Sequence, residues 1–276
     1  MPNPVSVTVV RKQWLTPHLV RIVGAVGPEF TPNAFTDAYV KLVFPPPGVE
    51  YPEPFDLDAV RATLGPESQP VLRTYTVRSF DAARREISID FVVHGDDGIA
   101  GPWARAVEPG ARFWLNGPGG AFAPDPAADW YLFAGDESAL PAIAAALEAV
   151  PAGAPALVFV EVGGAEDEIA LTSPGDLRLS WVHRGVSSDL IPDDLAGEHA
   201  PLVAAVRAAE WLPGQVHAFV HGEAEAVMRH IRPYLRKERD VAPKWFSISG
   251  YWRRGRSEEG FREWKRAFAA EGPEAG

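Results

Sequence analysis

LRTYTVR, residues 72–78, is the stretch around which the first half of the chain can be interpreted. Its β-branched and aromatic residues predict a β-strand, in which successive side chains point to opposite faces. A ligand that touches two successive side chains must therefore meet this strand at its edge. Period two divides the side chains into two sets, with Arg73, Tyr75 and Val77 on one face and Thr74, Thr76 and Arg78 on the other.

The segments around this stretch predict an antiparallel β-barrel or sandwich. Six short runs of β-branched and aromatic residues are separated by turns rich in Pro, Gly and Asp. In EISIDFVV, for example, Ile87, Ile89, Phe91 and Val93 share one face. The six runs are VSVTVV, LVRIVGA, YVKLVF, RTYTV, EISIDFVVHG and RFWLNGP.

The pattern changes after residues 123–129, APDPAAD, which read as a linker. Continuous apolar strands then alternate with helical stretches, as in WYLFAGDESALPAIAAALEAV, which favours a parallel sheet covered on both faces. We therefore predict two domains, residues 1–123 and 124–276. The tail EEGFREWKRAFAAE places Phe261, Trp264 and Phe268 three and four residues apart, as in an amphipathic helix.

The composition excludes several classes of function. The net charge of −11 argues against nonspecific nucleic-acid binding, so any anionic ligand must be held by local basic residues. The absence of cysteine excludes disulfides, cysteine-ligated iron–sulfur clusters and a thiol nucleophile, and we predict no metal site. No segment resembles a signal peptide or a membrane span, so we expect a cytoplasmic monomer.

The side chains of residues 73–78 suit a flavin nucleotide. An aromatic plane can stack on a planar heterocycle, a hydroxyl can hydrogen-bond a ring nitrogen, and arginine can bind a phosphate through two N–H groups. An edge strand with a packed tyrosine and solvated arginines explains the hexapeptide equally well. Further motifs are needed to decide between the two interpretations.

A glycine-rich turn follows about twenty residues later, in FVVHGDDGIAGPWA, residues 91–104. A strand reaches His94, and Pro102 and Trp103 indicate the opening of a short helix. A helix start after such a turn offers free backbone N–H groups to a pyrophosphate. Most glycine-rich turns bind nothing, and an isolated histidine is usually packed or solvated. Only the combination with residues 73–78 favours a nucleotide site.

Two motifs of the second half offer candidate dinucleotide contacts. GDESAL, residues 135–140, reads as a turn at Gly135 followed by a helix with Ser138 as its N-cap. Asp136 and Glu137 would repel a phosphate placed against them, so a loop without a ligand stays open. In WVHRG, Arg184 ends another strand, where we favour a solvated rim residue over a ribose or phosphate contact.

The chain resembles the siderophore-interacting protein family, flavin-dependent ferric-siderophore reductases of the ferredoxin–NADP reductase superfamily. The matching motifs run nearly from end to end: YVKLVFP, RTYTVR, DFVVHGDDG with GPWA, GPGGAF, GDESALPAI, WVHRG, VHAFVHGEA and SGYWRRGRSEE. The resemblance implies an FAD-binding barrel, a nicotinamide-binding α/β domain, and electron transfer from NAD(P)H through FAD to a ferric siderophore.

The resemblance also implies roles for individual residues. Arg73 would bind an FAD phosphate, Tyr75 would stack on the isoalloxazine, and Thr76 would approach flavin N5, so that Tyr75 and Thr76 are the candidate catalytic residues. Basic residues would hold the siderophore, yet Gly119 stands where the family commonly has one, and Arg112 is a speculative substitute. The implied cofactor set further includes Thr74, Arg78, His94, Gly95, Gly98, Ala100, Trp103, Ala104, Gly135, Asp136, Glu137 and Ser138, and the implied siderophore set is Lys41, Arg253 and Arg254.

Three functions stay open from the sequence. The first is the ferric-siderophore reductase, with FAD as cofactor and NADH or NADPH as co-substrate. The second is a flavoprotein of the same architecture that takes electrons from ferredoxin. The third is a siderophore-binding or trafficking protein without turnover, which needs no flavin site. Lys41 as a solvated strand residue and the arginine pair as a solvated turn are the simpler alternatives to a siderophore pocket.

Overall fold

The structure is a computed structural model that describes residues 4–51, 55–96 and 98–271. The chain divides into two compact units. The first ends at Ala121 and the second begins at Phe122, with Thr16–His18 grouped with the second. Within the described ranges, no helix is long and apolar enough to cross a membrane.

The first unit is a closed antiparallel barrel, as the alternating runs predict. Its strands are joined in the order β1-β2-β5-β4-β3-β6, so the sheet has no free edge. Two short helices interrupt the strands, α1 at Leu57–Thr63 and α2 at Ala100–Ala106. The strands are β1 Val5–Thr16, β2 Leu19–Val26, β3 Tyr39–Phe44, β4 Val71–Asp81, β5 Glu86–Val92 and β6 Arg112–Gly119.

The barrel closes around the side chains that alternation points inward. Ile87, Ile89 and Phe91 of β5 are buried in the core. Trp103 of α2 packs its ring 5.1 Å from Phe113 of β6, centroid to centroid, which holds α2 against the barrel. The helix begins at Ala100 rather than at the expected Pro102.

The second unit contains a five-stranded parallel sheet, which confirms the predicted α/β class. The strand order is β11-β10-β7-β8-β9. Two π-helical segments, Ala226–Ile231 and Tyr234–Glu238, lie between β10 and β11. The strands are β7 Trp130–Asp136, β8 Pro155–Val162, β9 Asp176–His183, β10 Val216–Glu223 and β11 Phe246–Trp252, and the helices are α3 Leu140–Glu148, α4 Pro201–Ala208 and α5 Glu258–Ala270.

The central strand β7 is buried along its whole length. Leu132 and Ala134 belong to the core cluster that includes residues of α4. Gly135 lies against α3, and a Cβ atom at this position would lie 2.6 Å from that of Ala139, so only glycine fits. The strand order reverses between β7 and β10, and ligands of open parallel sheets bind at such a reversal, beyond the carboxyl ends of the strands.

Candidate functional site

Tyr75 and Thr76 lie on β4, the strand predicted from LRTYTVR. The Tyr75 ring is half-buried and packs against Phe91, with the ring centroids 4.4 Å apart. Thr76 and Val77 are both buried, so burial does not alternate at this point of the strand. The pairing of β4 with β3 stays regular here, with Thr76 opposite Tyr39 and Tyr75 opposite Val40. The β4–β5 register shifts only after Val77, before Ser79.

The other residues of the hexapeptide differ in exposure. Thr74 is exposed, whereas Arg73 and Arg78 are half-buried. Arg73 donates from Nη1 to the carbonyl oxygen of Leu72 at 3.1 Å. Arg73 and Arg78 each have a further interaction within the chain, and neither is a fully exposed residue.

The turn after β5 provides features that suit a nucleotide. Gly95 and Gly98 have φ angles of +50° and +86°. No atom lies within 4 Å of a Cβ built on Gly98, so its backbone is open to an approaching group. The Nδ1 atom of His94 is buried and has no hydrogen-bond partner among the described residues. The second aspartate of HGDDG, residue 97, lies outside the described residues.

The helix α2 anchors this turn through buried side chains. Ala100 and Ala104 are 4% and 0% exposed. Trp103 packs against Phe44 and Phe91, at centroid distances of 5.6 and 5.5 Å. These side chains fill the barrel core, so Ala100 and Ala104 can offer a ligand only their backbone groups. An unpartnered buried imidazole, an open glycine turn and a half-buried phenol ring fit a flavin nucleotide.

Lys41 lies on the outer face of the barrel beside the flavin candidates. Its neighbours Val40 and Leu42 are buried, whereas Lys41 is half-exposed. The register sets Lys41 opposite Thr74 of β4 and Asn116 of β6. Lys41 forms no ion pair or hydrogen bond within the described parts of the chain. Its charge is therefore available to an anionic ligand.

Gly119 does not leave a gap where a basic side chain would stand. The ring of Tyr39 lies over this glycine, and a Cβ atom on Gly119 would lie 2.6 Å from the Tyr39 hydroxyl oxygen. Arg112 cannot replace the missing cation, because it begins β6 opposite Thr8. Seven residues separate it from Gly119, which corresponds to roughly 23 Å along a strand. The suggestion of Arg112 as a substitute is therefore wrong.

Arg253 and Arg254 are engaged by carboxylates of their own chain. Arg253 forms ion pairs with Glu223, at 3.0 Å, and with Glu225. Arg254 pairs with Asp193 at 2.5 Å and donates to the carbonyl oxygen of Ile191. Neither arginine is a solvated turn residue, and neither carries an uncompensated charge.

The GDES segment differs in detail from the prediction. Gly135 lies inside β7 rather than in the turn, and Ala139 rather than Ser138 is the N-cap of α3. The buried carboxylate of Asp136 accepts from the Ser138 backbone N at 2.9 Å and from its hydroxyl at 2.5 Å. It also accepts from the backbone N of Glu223 at 2.8 Å and from Trp252 Nε1 at 2.7 Å. Asp136 thus joins the ends of β7, β10 and β11.

Arg184 is buried, and the prediction of a solvated rim residue is wrong. Its guanidinium forms ion pairs with Glu137 and with Glu161, the latter at 3.3 Å. Glu161 also accepts from the backbone N of Leu202 at 2.7 Å. Burial raises the pKa of Glu161 to about 7 in spite of the attraction to Arg184. The neighbouring His183 is more exposed and pairs with Glu168 at 2.8 Å.

Sequence reasoning missed Glu161 and a second buried titratable group at the strand ends, His221. His221 of β10 is 4% exposed, and its Nε2 lies 3.0 Å from Ser247 Oγ. Its ring centroid lies 4.0 Å from that of Phe219 and 4.7 Å from that of Tyr251. Burial lowers the pKa of His221 to about 3, so the imidazole is neutral at physiological pH. The sequence places His221 near the end of an apolar strand, and that position could have indicated a buried histidine.

The fold defines the class of protein first. A closed antiparallel barrel followed by a parallel sheet is the architecture of ferredoxin reductases. The ferredoxin reductase of carbazole 1,9a-dioxygenase matches it with a TM-score of 0.63 at 17% identity, over 90% of this chain and 69% of that one, which shows the fold alone.

Family models then identify the chain more narrowly. The siderophore-interacting FAD-binding domain matches residues 8–122, and the siderophore-interacting protein model matches residues 128–255. The siderophore-interacting protein SipS from Aeromonas hydrophila has a TM-score of 0.78 and 31% identity, covering 97% of this chain and 98% of that one. The chain belongs to the siderophore-interacting protein family, which confirms the resemblance.

Two proteins are similar to this chain over nearly its whole length. An uncharacterized protein of Mycobacterium tuberculosis is 55% identical over 267 residues, which are 95% of this chain and 94% of the relative. The ferric vibriobactin reductase of Vibrio cholerae is 34% identical over 261 residues, which are 92% and 91% of the two chains. One of the relatives is thus named as a ferric vibriobactin reductase.

Proposed function

We propose that this protein is an FAD-dependent oxidoreductase that reduces ferric siderophores with electrons from NAD(P)H. One observation carries the proposal: the register of β3 against β4 places Lys41, whose charge is available, opposite Thr74 and next to Tyr75 and Thr76. A cation for an anionic chelate therefore lies on the strand that pairs directly with the strand carrying the candidate flavin ring, Tyr75. The ferric vibriobactin reductase among the relatives supports the same reaction.

FAD, when bound, would supply the chemistry that lets a two-electron donor deliver its electrons to Fe³⁺ one at a time. The chain's own residues bind and orient the cofactor. Tyr75 would align the ring system, and Thr76 would offer its buried hydroxyl to a ring nitrogen. Arg73 and Arg78 would bind phosphate oxygens, and His94 would satisfy its buried Nδ1 on the nucleotide. The glycine turn with α2 would accommodate the pyrophosphate through backbone groups.

Reduction itself would loosen the iron. Siderophore oxygens are hard ligands that bind Fe³⁺ far more tightly than Fe²⁺, so no protein acid is needed to open the chelate. We accordingly assign no acid, base or nucleophile. The protein's contribution is to hold the chelate beside the ring with Lys41 and to exclude competing reactions. We propose the cytoplasm as the compartment, because NAD(P)H is available there.

The donor site is proposed at the carboxyl ends of β7 and β10, where the strand order reverses. The side chains of Asp136, Glu137 and Arg184 are all engaged internally. A dinucleotide would therefore meet backbone groups and Ser138 rather than free cations. The same observation favours ferredoxin as the second candidate donor, since the segment offers no unpaired arginine to a phosphate.

A single anaerobic titration tests the proposal. Purified protein is supplied with FAD, then with NADH, NADPH or reduced ferredoxin, and finally with a ferric siderophore and a ferrous-iron trap. We expect visible absorbance bands that bleach with a donor and return as Fe²⁺ appears. A protein that cannot take up FAD, or that binds the chelate without releasing Fe²⁺, would contradict the reductase and favour a binding protein. If the bands bleach with reduced ferredoxin but with neither nicotinamide, ferredoxin replaces NAD(P)H as the proposed donor.

Lys41→Ala tests the acceptor side of the same cycle. We expect the rate with an anionic ferric chelate to fall about fivefold, the weight of one exposed charge pair, while reduction of the cofactor by the donor is unchanged. Lys12→Ala is the matched control, because Lys12 lies on the same barrel but pairs with Glu108. Equal losses in both half-reactions would make Lys41 structural.

A further inference from the structure

We propose that the outer face of the barrel selects ferric chelates of low net negative charge that carry an aromatic arm, and disfavours tris-catecholate trianions. The inference rests on the proposed function and names its substrate class. The surface that carries it is formed by Phe35, Tyr39, Lys41, Gly119 and Gly120, which we call the acceptor face.

Two exposed aromatic rings cover the glycines of the acceptor face. Phe35 and Tyr39 are 43% and 38% exposed, so each ring presents apolar surface to a ligand. Tyr39 lies over Gly119, and a Cβ on Gly120 would lie 2.8 Å from that of Phe35. The rings therefore occupy the space in which a longer side chain at residue 119 would reach the ligand.

Hydrogen bonds hold these rings in place. Asn33 donates from Nδ2 to the carbonyl oxygen of Gly119 at 2.9 Å, and its side-chain oxygen accepts from the backbone N of Phe35 at 3.1 Å. The carboxylate of Asp37 accepts from the backbone N of Ala121 at 2.8 Å. The loop before β3 is thus fastened to the end of β6 on both sides of Phe35. A pre-organised ring binds a flat ligand with less loss of conformational entropy.

The acceptor face adjoins the proposed flavin wall. Tyr39 is paired with Thr76 on one side and with Gly119 on the other. Lys41, two residues along, shares the same strand face. Directly opposed side chains of antiparallel strands have Cβ atoms about 5 Å apart, so a chelate on Tyr39 and Lys41 would lie next to Thr76.

The charge of this surface suits a weakly charged chelate. Lys41 supplies one available positive charge, and the carboxylate of Asp37 lies beside Gly120. Arg73 and Arg78 already have partners and are assigned to the cofactor. A tris-catecholate complex carries three negative charges, which one lysine cannot balance next to a carboxylate. An aromatic arm, in contrast, gains offset stacking on Tyr39 or Phe35.

The test measures binding rather than turnover. Oxidised, FAD-loaded protein is titrated by calorimetry, without donor, with three ferric probes: a tris-catecholate, a trihydroxamate without aryl groups, and a mixed chelate with hydroxamate and hydroxyphenyl arms. We expect the mixed chelate to bind about tenfold more tightly than the other two. Tyr39→Ala should remove that advantage and leave trihydroxamate binding unchanged. Trp14→Ala is the control, because this exposed ring lies on β1, away from β3 and β4.

A gain-of-function variant completes the test. Tyr39→Ser combined with Gly119→Lys clears the ring and adds a cation, so tris-catecholate binding should strengthen about tenfold. Preference of the unmodified protein for the tris-catecholate, or equal losses for all probes in Tyr39→Ala, would overturn the inference while leaving the reductase intact. Failure to bind FAD or any of the three chelates would overturn both.

Discussion

Tyr75 shows how one residue serves the core and the proposed site together. Its ring packs on Phe91 of the barrel core, yet it stays half-buried, on the strand that pairs with the one carrying Lys41. The sequence predicted the ring and the neighbouring hydroxyl. It could not predict that Thr76 and Val77 would both be buried, because burial on both faces of a strand depends on what packs against each face in the folded chain.

Tyr75→Ala should lower the affinity for FAD by roughly tenfold, since an aromatic stack is worth about 0.5–1.5 kcal/mol. Tyr75→Phe keeps the ring and should retain most of the affinity. Titration of the apoprotein with FAD, followed by flavin fluorescence, measures both. Urea unfolding of the apoproteins separates lost packing on Phe91 from lost stacking. Unchanged FAD affinity in Tyr75→Ala would refute the stacking role.

The burial and the ion pairs of Arg184 could not be predicted from the local sequence. Its place at the end of β9 was readable from WVHRG, but its partners Glu137 and Glu161 come from other parts of the chain. Strand order brings the three together, and a local pattern does not contain strand order. The same reason explains why Arg253 and Arg254 were expected to face a ligand, although Glu223, Glu225 and Asp193 bind them.

At the scale of elements, the ends of three parallel strands are joined by Asp136. Its two carboxylate oxygens accept from Ser138, Glu223 and Trp252. Four donors on one buried carboxylate require both oxygens to be acceptors. An amide at this position would turn an NH₂ group towards two of the donors. The GDES loop is therefore a structural junction at the proposed donor site.

Asp136→Asn should lower the free energy of unfolding by about 1–3 kcal/mol, the usual cost of leaving buried donors unsatisfied. Urea denaturation followed by circular dichroism measures the change. Asp176→Asn is the control, because Asp176 is exposed at the start of β9 and its loss should stay within about 0.5 kcal/mol. Equal effects of the two variants would show that Asp136 does not join the strand ends.

At the scale of the molecule, the sequence predicted both halves of the fold because each has its own periodicity. Period two marks the barrel, and buried apolar strands separated by helices mark the parallel sheet. The net charge of −11 means that any anionic ligand must be held by local cations. Which cations are available was not predictable, because it depends on how the arginines pair in the folded chain.

The stability of the whole molecule should depend on pH through buried groups of opposite sign. The pKa of His221 is lowered to about 3, so below about pH 6.5 the unfolded chain binds a proton that the folded chain does not. Stability from this group falls as the pH falls. The pKa of Glu161 is raised to about 7, so its contribution rises as the pH falls from 7 towards 4.5. Glu137, whose pKa burial also raises, acts in the same direction as Glu161, and His217, whose pKa burial lowers, acts in the same direction as His221.

His221→Phe should therefore reveal the contribution of Glu161. Phe keeps a ring between Phe219 and Tyr251 and removes the titration, although it also removes the contact with Ser247. Relative to the unmodified protein, the variant should gain about 2 kcal/mol between pH 8 and pH 5, because 1.5 pH units below 6.5 correspond to about that energy. Urea unfolding at the two pH values measures the difference, and a difference that does not change with pH would mean that His221 binds its proton equally in both states.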